Sequence, residues 1–145
     1  MREILFRGKN ESGKWVEGYY VRAVWYLDEQ VTDCIFPIGT TLYPHCEHSG
    51  FESIVPETVG QYTGLTDKNG TKIFEGDIVN FKTTPYDFTK CIVEYQDYYA
   101  EYYAVDNKGF EYSMNKFCEY EVIGNIYDNP ELLRSAVLRK VSMFS

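Results

Sequence analysis

A mainly β fold is predicted for this chain of 145 residues, on three observations. First, the stretch from Val59 to Phe81 reads as two strands and the turn between them. Second, short runs of alternating apolar and polar residues recur along the chain between Gly, Asn, Asp and Pro clusters. Third, 17% of the residues are aromatic, with 14 Tyr and 9 Phe, types that fit a pleated, half-buried surface. One short helix is expected at the C-terminal end.

Residues 1–55 are expected to form an N-terminal β-rich region that begins with a hairpin. Glu3 to Arg7 is its first strand, Asn10, Ser12 and Gly13 make its turn, and Trp15 to Arg22 is its second strand. In that second strand Trp15, Glu17, Tyr19 and Val21 share one side, and Val16, Gly18, Tyr20 and Arg22 the other. Neither side is purely polar, so both are expected to be partly covered. Val24 to Leu27 and Cys34 to Ile38 are weaker strand candidates.

Gly39 to Gly50 reads as a loop that holds His45, Cys46 and His48, with Cys34 eleven residues upstream. Zinc favours Cys and His in fours. This spacing matches no zinc pattern, and the neighbours His45 and Cys46 point apart on most backbones. No third residue is available to orient a catalytic Cys–His pair. An exposed variable loop is the expectation, with no metal, cofactor or catalytic residue assigned.

The second part of the chain spans residues 56–145. Val59 to Leu65 is a strand, Asp67 to Gly70 supplies residues that tolerate positive φ, and Asn69-Gly70 is the strongest short hairpin signal. Thr71 to Phe74 leaves the turn. Glu75-Gly76-Asp77 interrupts the pattern, as a bulge or a close backbone approach would, and Ile78 to Phe81 resumes it. Lys82 to Lys90 is a long hairpin loop, and Cys91 to Tyr95 is a strand with Cys91, Val93 and Tyr95 on one face.

Residues 94–121 are acidic and aromatic. Glu94, Asp97, Glu101, Asp106, Glu111, Glu119 and Glu121 face only Lys108 and Lys116, and nine Tyr and Phe are interleaved. An ordinary antiparallel pair, Tyr99 to Val105 and Gly109 to Met114 turning at Asp106 to Gly109, explains this with acids outward and rings inward. The alternative is a patch that docks a basic partner, or shows phosphate-like charge to a DNA-binding protein. Glu121 to Tyr127 closes the sheet. Asn129 is then the N-cap of a helix, Pro130 its first residue and Glu131 an acid near its positive end, with Leu132, Leu133, Ala136 and Val137 on one face.

Net charge is -8, which disfavours duplex DNA without excluding nucleic acid. A cluster of Lys72, Lys82 and Lys90 beside exposed Tyr would favour single strands. The charged stretch from Met1 to Lys9 is no signal peptide, so Cys34, Cys46, Cys91 and Cys118 are expected as free thiols in a reducing cytoplasm. No run approaches the ~20 apolar residues of a membrane span. P-loop, Gly-x-Ser-x-Gly, His-Glu-x-x-His and dinucleotide signatures are lacking, so no enzyme is expected.

Arg2 to Gly8, Gly13 to Tyr19, Glu57 to Gly70 with Ile73 to Val79, and Val122 to Leu133 together resemble the YopX family, small proteins encoded in phages and prophages. The resemblance is least over Val24 to Ile54 and Lys82 to Lys116. It implies an SH3-like β-barrel over residues 56–145 and a phage accessory protein in the host cytoplasm, and it supplies no catalytic residues. The expected function is a non-enzymatic module that binds a host or phage protein or assembles with itself. Single-strand binding is the alternative, and a metal or thiol enzyme stands behind both.

Overall fold

The computed structural model describes residues 2–24, 27–39 and 50–133. Eleven strands are formed among them: β1 (Phe6–Lys9), β2 (Trp15–Val24), β3 (Val31–Pro37), β4 (Glu52–Ser53), β5 (Gly60–Thr66), β6 (Lys72–Phe74), β7 (Asp77–Lys82), β8 (Phe88–Gln96), β9 (Glu101–Asp106), β10 (Glu111–Ser113) and β11 (Tyr120–Asn125). They build two antiparallel sheets, in the orders β4-β3-β2-β1-β5-β6 and β10-β9-β8-β7-β11. The mainly β expectation holds. Among the described residues neither sheet closes into a barrel, and the only helical segments are 3-10 turns at Pro56–Thr58 and Pro130–Leu133. The chain divides into two compact units, residues 1–62 and 63–145.

In the first unit the opening hairpin pairs β1 with β2, Phe6 opposite Gly18 and Lys9 opposite Trp15. Alternation puts Val16 and Tyr20 on one side, where Val16, Ile35 and Ile54 form a core flanked by Phe6, Tyr20 and Val59. Gly18 is required by closeness, because a Cβ there would strike the Phe36 backbone carbonyl on the neighbouring strand. The two faces of β2 differ more than their residues suggest. The Trp15 end is covered by the Arg7 guanidinium, 4.6 Å from the ring centre, and the Lys9 ammonium at 5.4 Å, while Tyr19 and Val21 are exposed.

In the second unit Ile73, Val79, Phe81, Cys91, Val93, Ala104 and Tyr120 form the core. Phe81 lies between Tyr112 and Tyr120, 5.2 Å from each ring. Burying such side chains contributes roughly 1.5–3 kcal/mol each. Strand β11 carries a bulge between Val122 and Gly124.

Three hairpins turn by one device. Asn10, Asp67 and Asp106 each accept two backbone N–H groups at a single side-chain oxygen, from Ser12 and Lys14, from Asn69 and Thr71, and from Lys108 and Phe110, all at 2.9–3.0 Å. The glycine three residues on donates back to the Asn or Asp carbonyl and takes a positive φ, 79° at Gly13, 82° at Gly70 and 88° at Gly109. This is a three-residue loop closed by a left-handed glycine. The hairpin expected at Asn69-Gly70 is therefore present, but Asp67 makes it. Asn69 keeps a negative φ, since Glu29 and Ala100 are the only non-glycine residues with positive φ among those described.

Two local expectations are corrected. Glu75-Gly76 is not a bulge within one strand; it is the turn where the chain leaves β6 in one sheet and enters β7 in the other, and of the two alternatives the close approach holds, since a Cβ on Gly76 would lie 3.2 Å from the Tyr127 ring. The Asp77 carboxylate accepts the Phe74 N–H at 2.8 Å, and Gly76, at φ 86°, donates to the Val93 carbonyl. Asn129 does not cap an α-helix through its side chain. Its oxygen reaches back to the Asn125 N–H at 3.1 Å, and Pro130–Leu133 is a 3-10 turn closed by the Leu132 N–H on the Asn129 carbonyl. The remainder of the expected helix, with Ala136 and Val137, lies outside the described residues.

Candidate functional site

His45, Cys46 and His48 lie outside the described residues. Cys34, expected as a companion thiol, is buried in β3, where its Sγ faces the Thr32 carbonyl at 3.8 Å. Burial and then the Asp33 charge push its pKa up, so it is held as an unreactive thiol. Cys91 is held more strongly, pushed up to about 12 by burial and then by Asp106. Among the described residues no group of three or more His, Cys, Asp or Glu is placed to hold a metal ion, and no helix is long and apolar enough to cross a membrane.

The lysines that would favour single strands are occupied. The Lys82 ammonium pairs with Glu119 at 3.4 Å and sits 5.9 Å from the Phe88 ring centre. Lys90 donates to the Leu132 carbonyl at 3.1 Å, and Lys72 stands on β6.

The acidic and aromatic stretch is divided by strand alternation into inward and outward sets. Tyr112 and Tyr120 turn inward against Phe81. Burial raises the Tyr120 pKa, and the Tyr120 oxygen accepts the Asn115 N–H at 3.2 Å. Tyr112 donates to Asp106 at 3.4 Å. These rings build the core, as the ordinary reading of the stretch expects.

The outward set gathers at the tip of the β8–β9 hairpin. Cross-strand register brings Glu94, Tyr103 and Ser113 abreast on three adjacent strands, Gln96 opposite Glu101, and Glu111 opposite Val105; residues opposite one another project from the same face. Gln96 holds this face together by donating to Glu94 at 3.5 Å and Glu111 at 3.3 Å, and Ser113 donates to Glu101 at 3.3 Å. Among the described residues no Lys or Arg is ion-paired to Glu94, Glu101 or Glu111. Partial burial, then the hydrogen bond and charge of Glu101, raise the Tyr103 pKa. Its hydroxyl therefore stays a neutral donor.

At the loop itself Ala100 takes a left-handed φ of 54° and the Tyr99 N–H closes on the Gln96 carbonyl at 3.2 Å. This sets Tyr98 and Tyr99 into solvent, 91% and 57% exposed. Their rings meet edge to face at 5.2 Å, and Tyr99 continues to Tyr103 at 5.6 Å. A second pair, Tyr95 and Tyr102, meets at 5.1 Å. The composition of residues 94–121 signalled this cluster; what it did not signal is that the outward rings share one hairpin end with Glu94 and Glu101, and that Gln96 links Glu94 to Glu111 of β10.

Both sheets end on poor templates for strand addition. β4 and β6 have two and three residues, and β10 has three. The open side of β11 is met by the Asp67 turn: Lys68 N–H donates to the Tyr120 carbonyl at 3.0 Å, and the Val122 N–H donates to the Asp67 carboxylate at 2.9 Å. Covered and shortened edges resist pairing with another chain.

A family model described as YopX protein matches residues 5–134. Among curated proteins none matches. Of solved structures, the crystal structure of protein EF1440 from Enterococcus faecalis is similar, at 23% identity and a TM-score of 0.51, covering 92% of this chain and 99% of that one. At that identity the likeness speaks for the fold alone.

Proposed function

We propose, from the premise that the chain belongs to the YopX family, that it is a non-enzymatic protein-binding module, a phage or prophage accessory protein that works in the host cytoplasm. The observation that carries this reading is the row of mutually packed tyrosines on one hairpin tip, Tyr98 and Tyr99 exposed and Tyr103 half-buried behind them. Tyr contributes large contact area at low conformational cost and is enriched where proteins meet. The closed strand edges favour recognition through side chains over strand addition. In the second unit β11 returns to pair with β7, the first strand of the β7-β8-β9-β10 meander, and we read that order as an SH3-like arrangement left open.

Affinity capture from infected host cells tests the reading, with wild-type protein and a Tyr98→Ser/Tyr99→Ser variant as parallel baits. A phage or host protein retained by the wild type and depleted at least fivefold on the variant supports it. Identical captures on both baits overturn it.

A further inference from the structure

We infer that the tip of the β8–β9 hairpin docks a basic, arginine-rich segment of its partner. The inference rests on the protein-binding reading and specifies the chemistry of what is bound. Two independent features of the tip converge on a planar cation. The first is aromatic: Tyr98 and Tyr99 present rings to solvent in an edge-to-face pair, a geometry that leaves ring faces open. A guanidinium stacks on such faces more readily than an ammonium does, because it is flat and more weakly hydrated.

The second is electrostatic. Glu94, Glu101 and Glu111 lie on the outward face of three neighbouring strands, Glu94 opposite Tyr103, Glu101 opposite Gln96 and Glu111 opposite Val105, and neutral donors tie them together, Gln96 to Glu94 and Glu111 and Ser113 to Glu101. Those donors orient the carboxylates without neutralising them. A carboxylate held this way accepts two guanidinium N–H groups, one at each oxygen.

The same features reject the other occupants. Nucleic acid and anionic lipid bring phosphate to a face whose Glu94, Glu101 and Glu111 are ion-paired to no Lys or Arg among the described residues. A second copy of this chain brings the same acidic tip and a net charge of -8, which is mismatched with itself.

The test is fluorescence anisotropy with the full-length chain and a labelled octapeptide of alternating Arg and Gly, at low and at physiological salt. Tight binding at low salt that weakens on adding salt is expected. The Tyr98→Ser/Tyr99→Ser variant and the Glu94→Gln/Glu101→Gln/Glu111→Gln variant each lose about tenfold in affinity, and a Lys-for-Arg peptide binds several-fold more weakly. A Glu3→Gln/Glu11→Gln/Glu57→Gln variant, which removes equal charge elsewhere, stays within about twofold of wild type. All these positions are exposed or on loops and strand surfaces, and thermal melting confirms that each variant is folded.

No binding of the Arg peptide, or equal losses in the tip and control triple variants, overturns the inference. If that happens while a captured protein still depends on Tyr98 and Tyr99, the protein-binding reading stands and only the basic partner falls. If no captured protein depends on the tip, the protein-binding reading itself falls.

Discussion

Replacing Asp67 by Asn separates the two tasks of one carboxylate. Oδ1 closes the hairpin by accepting the Asn69 and Thr71 N–H groups, and Oδ2 accepts the Val122 N–H on β11, 55 residues away. Asn offers one acceptor and one NH2, so the turn is served and Val122 meets a donor. An unpaired, poorly solvated N–H costs about 1–3 kcal/mol, and the two turn bonds lose their charge assistance. Together about 3 kcal/mol is expected, roughly 10 °C in Tm for a chain of this size.

The comparison is Asp106→Asn. There Oδ1 again serves two N–H groups, but Oδ2 meets only the Tyr112 hydroxyl, which can reverse its role and accept from the new amide. Less than about 1 kcal/mol should be lost. The pH dependence adds a second readout. Burial would raise the Asp67 pKa, but the N–H groups of Val122, Thr71 and Asn69, aided by Lys68, outweigh it and lower the pKa from 3.8. A lowered folded-state pKa gives stability that is present above the unfolded value and lost as pH falls through the folded one. The wild-type advantage over Asp67→Asn should shrink below pH 3.8. Calorimetric melting of the three proteins from pH 7 to 2.5 measures both effects. Equal losses in Asp67→Asn and Asp106→Asn, or a pH-independent gap, would refute the assignment of the Val122 bond.

Two further outcomes can be checked on the same instruments. Gly124→Ala should cost more than Gly70→Ala: a Cβ at 124 would lie 2.5 Å from the Asn129 side-chain oxygen and displace the residue that closes the strand end, whereas at 70 it meets open space and costs only the left-handed backbone penalty, about 1–2 kcal/mol. Alkaline stability should decline as pH rises from 9.0 through about 12, because the Cys91 pKa is raised on folding, and a raised value gives stability that is full below the unfolded pKa and lost above it. Peptide mapping after thiol labelling of the native chain at pH 8 should find Cys34 and Cys91 unmodified, and modification at either one contradicts its buried placement.

Much of this fold was legible in the residues, and for a definite reason. Strands announce themselves through period-two alternation and hairpins through Asn, Asp and Gly, so β2, the Asp67 turn and the Asp106 turn stand where those patterns put them, while β1 begins at Phe6 and runs to Lys9 where Glu3 to Arg7 was expected. What the patterns left open was which residue makes each turn. Asn69-Gly70 suggests a two-residue loop, yet an Asn or Asp three places before the glycine recurs at Asn10, Asp67 and Asp106, and that repeated spacing was the available signal. Glu75-Gly76 was ambiguous because a glycine that breaks a strand pattern serves a bulge or a close backbone approach, and only long-range pairing shows that here it is the approach, at a change of sheet. The faces of residues 94–121 were unreadable for a related reason: aromatic residues occupy both phases of the alternation, so Tyr112 in the core and Tyr103 on the surface look alike in one dimension.

The division of labour between residues also explains why fold and function separate here. Asp67, Asp106 and Asn125 are buried polar residues whose side-chain oxygens accept backbone N–H groups, so each is held in place by the fold and has nothing left to offer a ligand. A chain can belong to a family on such positions alone, because changing them costs stability, while saying nothing of what the protein binds. Binding must then rest on side chains the fold does not need. Tyr98 and Tyr99 meet that condition: they sit on a loop, largely in solvent, and exposed positions of this kind change stability by less than about 0.5 kcal/mol when substituted. The left-handed Ala100 adds a small conformational cost at the same place. Substitutions at the tip should therefore move binding and leave melting unchanged, whereas those at Asp67 should do the reverse.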